Sequence, residues 1–559
     1  MTTSRQRVIA VTGGGGGIGA AIAQELGRTG AFVVTLDPLV TVDGTEQIET
    51  VEETTADRIV AAGGSARASA VSVTDGPGVR RLFDELVEEF GGLDAVVNVA
   101  GITRPTSFAR GSESDWLGVL SVHLDGYRTI LEAALPIMAA AGSGAILGVT
   151  SGSGWRAADA GAYSCAKRAV ASLTWQLGRH APTGVIINAM SPIAATRMVT
   201  AALSRARPAG ASAGSAASGG LSLASMPTPE QLGPLGAHLV DDTFAWCSGQ
   251  VIFAGGSEIA VIDEPRLLEV VRADAVASLD RLLDAVIPGA LVPAEANQAT
   301  NGATNSRFAA VFDGEAAADT APTDRHGAEV RSCVVVSDRP DVSAGLVAAL
   351  SARGVAAAAN AVTGTSTFAD ASATLASIVE RDGPLDAVVL AITGGPIAED
   401  SASDWERVLT EHRDIVEQLH TDAGWVRAVA DYSKAAERTV RLITLIDATT
   451  AGGRSRAQAA AQLSRSARGA TADRVTACSV SVETTWADDE QTITALVGHL
   501  LCGAATPELS GAELVVGRGW FGVRSHPRPS ASITFGGPEL PEWIDDALRS
   551  ITRAPGHRP

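Results

Sequence analysis

From Arg7 to about Met190, short β-branched runs alternate with longer amphipathic ones. The strand candidates are VIAVT (8–12), FVVTL (32–36), AVVNV (95–99), AILGVT (145–150) and GVIINAM (184–190). Between them lie helical patterns at Ile18–Thr29, Gly78–Phe90 and Ala162–His180. Strictly alternating short strands and helices predict an α/β fold, a doubly wound parallel sheet covered by helices on both faces. A Ser/Ala/Gly-rich stretch, 205–225, reads as a mobile loop. One more strand is expected at 249–256, then a helical stretch to about Ile287. Residues 288–328, rich in Ala, Thr, Asn and Pro, read as a linker.

Beyond that linker the pattern starts again. GLDAVVNVAG (92–101) returns as PLDAVVLAITGG (384–395), SDWLGVLSVHLD (114–125) as SDWERVLTEHRD (403–414), and SGQVIFAGG (248–256) as SGAELVVGRG (510–519). Shared Ser-Asp-Trp and His-x-Asp in register over twelve residues argue for an internal repeat. The expected organisation is therefore two tandem Rossmann-like domains, 1–287 and 329–559, joined by 288–328.

Composition changes this picture only by exclusion. A formal charge of −20 and a chain of 559 residues argue against nucleic acid or an anionic membrane as partner through a basic face. No uncharged apolar run approaches the roughly 18 residues of a membrane span. The five cysteines (Cys165, Cys247, Cys333, Cys478, Cys502) are scattered without a CxxC pair or a histidine at zinc spacing. They read as reduced small hydrophobes, with no metal site expected. The first strand-like run begins close to Met1, so a cytoplasmic protein without a leader is expected.

Candidate chemistry is concentrated in the first half. TGGGGGIG (Thr12 to Gly19) follows the first strand and opens a helix. Glycines there allow backbone N–H groups to approach a pyrophosphate at the positive helix end. The second strand ends at Asp37, whose carboxylate suits ribose hydroxyls and repels a 2′-phosphate. No Lys or Arg occurs at 13–19 or 38–42. NAD(H) is therefore expected rather than NADP(H).

The chain has only two lysines and three tyrosines, and one of each stands four residues apart as Tyr163 and Lys167. Four residues is one helical turn, so both side chains leave the same face. A phenol titrates near about pH 10, and an ammonium beside it is expected to bring that value down. Tyr163 would then exchange a proton with an alcohol or carbonyl oxygen. Ser151, at the end of a strand twelve residues earlier, would polarise the same oxygen.

Taken together, Thr12-Gly13-x-x-x-Gly17-Ile18-Gly19, NVAG (98–101), Ser151 and Tyr163-x-x-x-Lys167 resemble the short-chain dehydrogenase/reductase family over about residues 5–275. The resemblance implies that Asn98, Ala100 and Gly101 line the adenosine side and support the sheet centre. It implies that Pro192 and Thr196 meet the nicotinamide end, and that Lys167 also meets the nicotinamide ribose. Three departures stand out: Ile193 where the family usually has Gly, Ser72 where an acidic residue is common, and His123 where an asparagine often completes a tetrad. Two roles are open to His123, a backbone carbonyl offered to a bound water or a proton relay through the ring. VHLDG, TRM and GGSEIAVIDEPR (255–266) further resemble the (3R)-hydroxyacyl-CoA dehydrogenase part of peroxisomal multifunctional enzyme type 2. A small-molecule substrate, apolar or an acyl thioester, or a hydroxysteroid-like one, is implied, and 199–227 falls where the family carries its substrate lid, which suits a large apolar substrate.

The second half lacks this chemistry. VVVSDRPDVSAGL (334–346) puts Asp338 and Asp341 where a pyrophosphate would have to come close. LIDATTAGGRSRAQAAAQLSRSARG (445–469) has neither Tyr nor Lys, and DYSK (431–434) reads as a surface coincidence. This half is expected to be a degenerate copy acting as a built-in partner, an intrachain pseudo-dimer, with further homodimerisation. RSHPRPS (524–530) onward either packs across a neighbour or stays disordered. The contrasting expectation, a non-catalytic nucleotide-binding scaffold, is opposed by the intact Ser-Tyr-Lys set.

Overall fold

A computed structural model describes residues 5–48, 52–156, 159–206, 217–218, 221–222, 226–272, 330–393, 402–503, 506–537 and 539–552. The proposed linker 288–328, and most of 205–225, fall outside the described residues.

The buried β-branched runs become strands with little shift in their limits. They are β1 (Val8–Thr12), β2 (Phe32–Leu36), β3 (Ser65–Ser69), β4 (Ala95–Asn98), β5 (Gly144–Val149), β6 (Val185–Pro192) and β7 (Val251–Gly255). All seven run parallel, and β1 lies between β2 and β4. β3, SARAS, has no apolar run to announce it. It becomes a strand through its ladder to β2, where Phe32 pairs with Ser65 and Leu36 with Ser69.

As far as Arg272, the helical stretch expected after 256 is instead two strands, β8 (Glu258–Asp263) and β9 (Leu267–Arg272), and its remainder, 273–287, lies outside the described residues. The second half supplies β10 (Ser332–Ser337), β11 (Ala356–Ala361), β12 (Ala387–Ala391), β13 (Val440–Asp447), β14 (Val475–Val482), β15 (Glu513–Gly517), β16 (Trp520–Arg524) and β17 (Arg528–Thr534).

The two sheets exchange their edges. The first has the order β17-β8-β7-β6-β5-β4-β1-β2-β3 and the second β9-β16-β15-β14-β13-β12-β10-β11. β9 leaves the first half to pair antiparallel with β16, and β17 leaves the second half to pair antiparallel with β8. Each foreign strand covers backbone donors and acceptors that an edge would otherwise leave to water or to another chain. The Pro/Arg-rich segment therefore packs across a neighbour, and that neighbour is the other half of the same chain.

Helices complete the join. α1 (Gly17–Arg28) follows the glycine turn, α2 (Ala162–His180) carries Tyr163 and Lys167, and α3 (Ala451–Ser464) belongs to the second half. α2 and α3 pack along each other, and α3 is rich in Ala and Gly, so their backbones come close. On its other side α3 packs as closely within the second half, where a Cβ on Gly452 would meet the Glu411 carbonyl oxygen at 1.8 Å. At the centre of the α2–α3 seam Ser455 donates to Ser172, and Gln176 donates to both Ser172 and Ser455. Arg168 of α2 reaches Glu513 of β15 at 2.8 Å, with side chains 0% and 2% exposed. One hydrophobic core runs continuously from Val8 and Phe83 through α2 to Trp425 and Val475.

Candidate active site

Above the carboxyl ends of β1, β4, β5 and β6 lies a cavity of about 1070 Å³. This is where ligands sit in open parallel sheets. Gly13 and Gly17 have φ of +65° and +54°. A Cβ on Gly13 would meet the Ala100 backbone nitrogen at 2.8 Å, and one on Gly19 would meet the Gly13 oxygen at 2.2 Å. Only glycine permits this turn and this close approach. Asp37 accepts from the Gly15 and Leu39 amides at 2.9 and 2.8 Å, which holds its carboxylate at the cavity wall beside the turn.

Gly13, Gly17, Ile18, Asp37, Ala100, Gly101, His123, Ser151, Tyr163, Lys167, Pro192 and Thr196 all line this one cavity. Three proposed cofactor residues, Thr12, Gly19 and Asn98, are not among its lining residues. The Thr12 hydroxyl donates to Asn98 at 2.8 Å and accepts from the Ala100 amide, so this buried pair braces the turn from below.

Ser151 and Tyr163 are brought together on one wall of the cavity, where the Ser151 hydroxyl favours the charged form of the Tyr163 phenol. Helix α2 starts at Gly161 with φ +49°. Thr106 accepts from the Ala162 amide, which fixes the turn that presents Tyr163. Lys167 lies 5.7 Å from the centre of the Tyr163 ring, but its ammonium donates to the Val149 carbonyl at 2.6 Å.

The titration of these groups differs from the sequence expectation. Burial raises the Tyr163 phenol above its usual value, opposed by the Ser151 hydrogen bond and by the Arg156 guanidinium. Lys167, which was expected to lower it, is itself pushed down to about 7 by burial. The physical reason is distance and competition, since the ammonium is engaged by a main-chain oxygen beneath the ring. In this chain the positive charge that favours the phenolate is that of Arg156.

His123 lies in a π-helical turn, Ser121–Asp125, and its ring meets Tyr163 edge-on at 5.0 Å. Its Nε2 lies 2.7 Å from the Ile102 oxygen, and its buried Nδ1 has no hydrogen-bond partner among the described residues. Burial first, then the Lys167 charge, pull its pKa well below the ordinary value, so the ring is neutral.

Sequence reasoning missed two arginines. Arg197 comes from the segment after β6, and its Nη2 would be 3.0 Å from a Cβ on Gly16. Arg156 sits on the turn after Ser151. A lone cation inside SGSGWRAADAGAY was the available signal. That turn is held by the other half. Gln462 of α3 donates to the Ser153 and Arg156 carbonyls at 3.1 and 2.7 Å, and Arg465 donates to the Trp155 carbonyl at 2.6 Å.

The corresponding places of the second half are closed. Asp338 accepts from the Thr393 amide and hydroxyl, filling the turn after β10. His412, the repeat's counterpart of His123, hydrogen-bonds Ser455 in the seam at 2.8 Å. Tyr432 of DYSK accepts from the Leu385 amide.

Comparison with known proteins agrees with this geometry. The family model described as short chain dehydrogenase matches residues 7–207. A peroxisomal hydratase-dehydrogenase-epimerase of Saccharomyces cerevisiae is 33% identical over 196 residues, 35% of this chain and 22% of that protein. The chain thus spans about a fifth of that relative's length, and the match bears out the likeness to peroxisomal dehydrogenases. A cis-4-hydroxycyclohexanecarboxylate dehydrogenase of Sinomonas cyclohexanicum is 33% identical over 259 residues, covering 46% of this chain and 98% of that one. The N-domain of a bacterial malonyl-CoA reductase, solved with NADP, has a TM-score of 0.64 at 16% identity over 90% of this chain and 96% of that one. That likeness shows a shared fold spanning both halves. With its glycine turn, its Ser151–Tyr163 pair and a relative matched almost end to end, the chain belongs to the short-chain dehydrogenase family.

Proposed function

We propose that the first half is an NAD-dependent oxidoreductase interconverting a secondary alcohol and a ketone. The observation that carries this reading is that Ser151, Tyr163, Lys167 and the glycine turn all line one cavity. A bound nicotinamide dinucleotide supplies the acceptor or donor of hydride. Its pyrophosphate would be held by the amides after Gly13, and its ribose by Asp37. The cradle fits such a group because Gly13, Gly16 and Gly17 line the cavity without side chains, and a Cβ on Gly17 would meet nothing nearer than the Thr196 methyl at 3.7 Å, which leaves room for an anion over the turn. Ser151 holds the substrate oxygen, and Tyr163 takes or returns its proton. Lys167 and Arg156 supply the positive charge that favours the phenolate when substrate arrives.

Support for NAD is the Asp37 carboxylate, which disfavours a 2′-phosphate. Both named relatives are dehydrogenases, and from them we carry over only oxidation of an alcohol, with hydroxyacyl thioesters or hydroxysteroid-like alcohols among the candidates. The second half serves as a built-in partner subunit whose α3 takes the place of a second α2. A cytoplasmic location and further pairing into homodimers belong to the same reading.

NADH formation, followed by absorbance with a panel of secondary alcohols and hydroxyacyl thioesters, tests it. Tyr163→Phe is expected to lower turnover roughly 100- to 10,000-fold, and undiminished turnover would overturn the assignment. Fluorescence titration is expected to give tighter binding of NAD than of NADP. The reverse order would remove the Asp37 argument.

A further inference from the structure

The cavity is positively lined in a strongly acidic chain. Its described walls carry Arg104, Arg110, Arg156, Lys167 and Arg197 against two carboxylates, Asp37 and Asp159, while the whole chain has a formal charge of −20. Four of the five cations are accounted for. Arg197 lies over Gly16, where a dinucleotide's pyrophosphate belongs. Lys167 donates to the Val149 oxygen. Arg104 is tied to the carbonyls of Asp43 and Ser114 at 2.8 and 2.9 Å. Arg110 is exposed at the rim and acts on Asp159, whose carboxyl burial raises and Arg110 opposes.

Arg156 is left over. Its Nε is buried without a hydrogen-bond partner, and its guanidinium forms no ion pair among the described residues. Burial lowers its pKa, and the one charge working against that is the Tyr163 phenolate. Arg156 is half-buried at the cavity wall, and taking part of a guanidinium out of water without a counter-charge is costly, so such cations are normally paired. This one is nevertheless held in place, because Gln462 and Arg465 of the second half clamp its turn. A planar guanidinium fork matches a carboxylate in two parallel hydrogen bonds. Arg156 and Tyr163 line the same cavity, and the Arg156 charge acts on the phenol, which puts that anion on the same compact skeleton as the reacting carbon, not at the end of a long carrier.

We propose that Arg156 binds the carboxylate of the substrate, so that this site acts on compact hydroxy acids and their keto counterparts. The proposal deepens the oxidoreductase reading and rests on it. In the oxidation, the carbinol carbon gives up its hydrogen with two electrons to NAD. The hydroxyl proton goes to the Tyr163 phenolate, and the products are a keto acid, NADH and one proton released later from the phenol. The carboxylate is unchanged.

The test is calorimetric binding to the full-length chain saturated with NAD. The ligands are cyclohexanecarboxylate, its methyl ester and inorganic phosphate, and the proteins are wild type, Arg156→Lys and Arg156→Gln. Wild type is expected to bind the acid roughly 10- to 100-fold more tightly than the ester. Arg156→Gln is expected to erase that preference and Arg156→Lys to keep part of it. Equal affinity for acid and ester in wild type overturns the proposal, even if Arg156→Gln does not fold. So does an acid preference that survives Arg156→Gln, or tighter binding of phosphate than of the acid, which would assign the arginine to a phosphorylated substrate. None of these readouts needs turnover, so their failure is separate from a failure of the Tyr163→Phe test.

Discussion

Gln462 offers the most direct measure of what the second half contributes to the site in the first. Its side chain is 1% exposed and its amide nitrogen holds two carbonyls of the turn between Ser151 and Arg156, at 3.1 and 2.7 Å. Gln462→Ala removes both donors. At about 0.5–1.5 kcal/mol net for each neutral hydrogen bond, the loss is about 1–3 kcal/mol, concentrated on one turn. The Arg465 bond to Trp155 remains, so the turn loosens without being released. A misplacement of about 1 Å at a reacting group costs roughly 100-fold. The expected outcome is a fall of roughly 10- to 100-fold in kcat/KM for alcohol oxidation, measured by NADH absorbance. NAD affinity, set by the glycine turn and Asp37, should move little in a fluorescence titration. Gln458→Ala is the control: Gln458 also lies on α3 and accepts from Arg168, but makes no hydrogen bond of its own to the 151–156 turn among the described residues. Should Gln462→Ala retain kcat/KM within twofold of wild type, or Gln458→Ala fall equally far, the positioning role of the second half is refuted.

Two further outcomes follow from buried charge. At the Arg168–Glu513 pair, burial lowers the arginine to about 10 and raises the glutamate, so desolvation outweighs attraction at both ends. Glu513→Leu should therefore cost about 3–5 kcal/mol by stranding Arg168, whereas Arg168→Met with Glu513→Leu should recover most of it in urea unfolding; additive losses would contradict this. Lys167 has a folded pKa of about 7 against about 10.4 unfolded. Between those values the unfolded chain holds the extra proton, so this group's contribution to stability rises with pH across that window and is lost as pH falls toward 7. Wild type minus Lys167→Met should gain up to about 4 kcal/mol from pH 7 to 10, and a flat difference would count against it.

The strands that bury both faces were legible because burial of a strand leaves a continuous apolar run, as in Val8–Thr12 and Val33–Leu36. Ser65–Ser69 was not, since its strand character comes from the ladder to β2 and not from its own side chains. Leu267–Arg272 was read as helix because LLEVVR fits either period. It became a strand because β16 offered it an unpaired edge. Among site residues, those whose spacing is local were found: Gly13 with Gly17, and Tyr163 with Lys167. Arg156 and Arg197 were missed because their importance arises from what lies across the cavity.

Local order thus follows from the chain's own pattern: where strands and helices form, where a dinucleotide turn can close, and which half carries the Tyr-x-x-x-Lys spacing. Those features depend on neighbours within a turn of helix or a few residues of strand, which hydrophobic period and glycine content report directly. The tertiary structure alone decided the rest. It exchanged edge strands between the halves and put Gln462 behind the Ser151 turn. It drew the Lys167 ammonium to Val149 and left the Arg156 charge as the one favouring the phenolate. These outcomes turn on hydrogen-bond partners and desolvation set by residues up to about 300 positions away, where sequence spacing carries no information about distance.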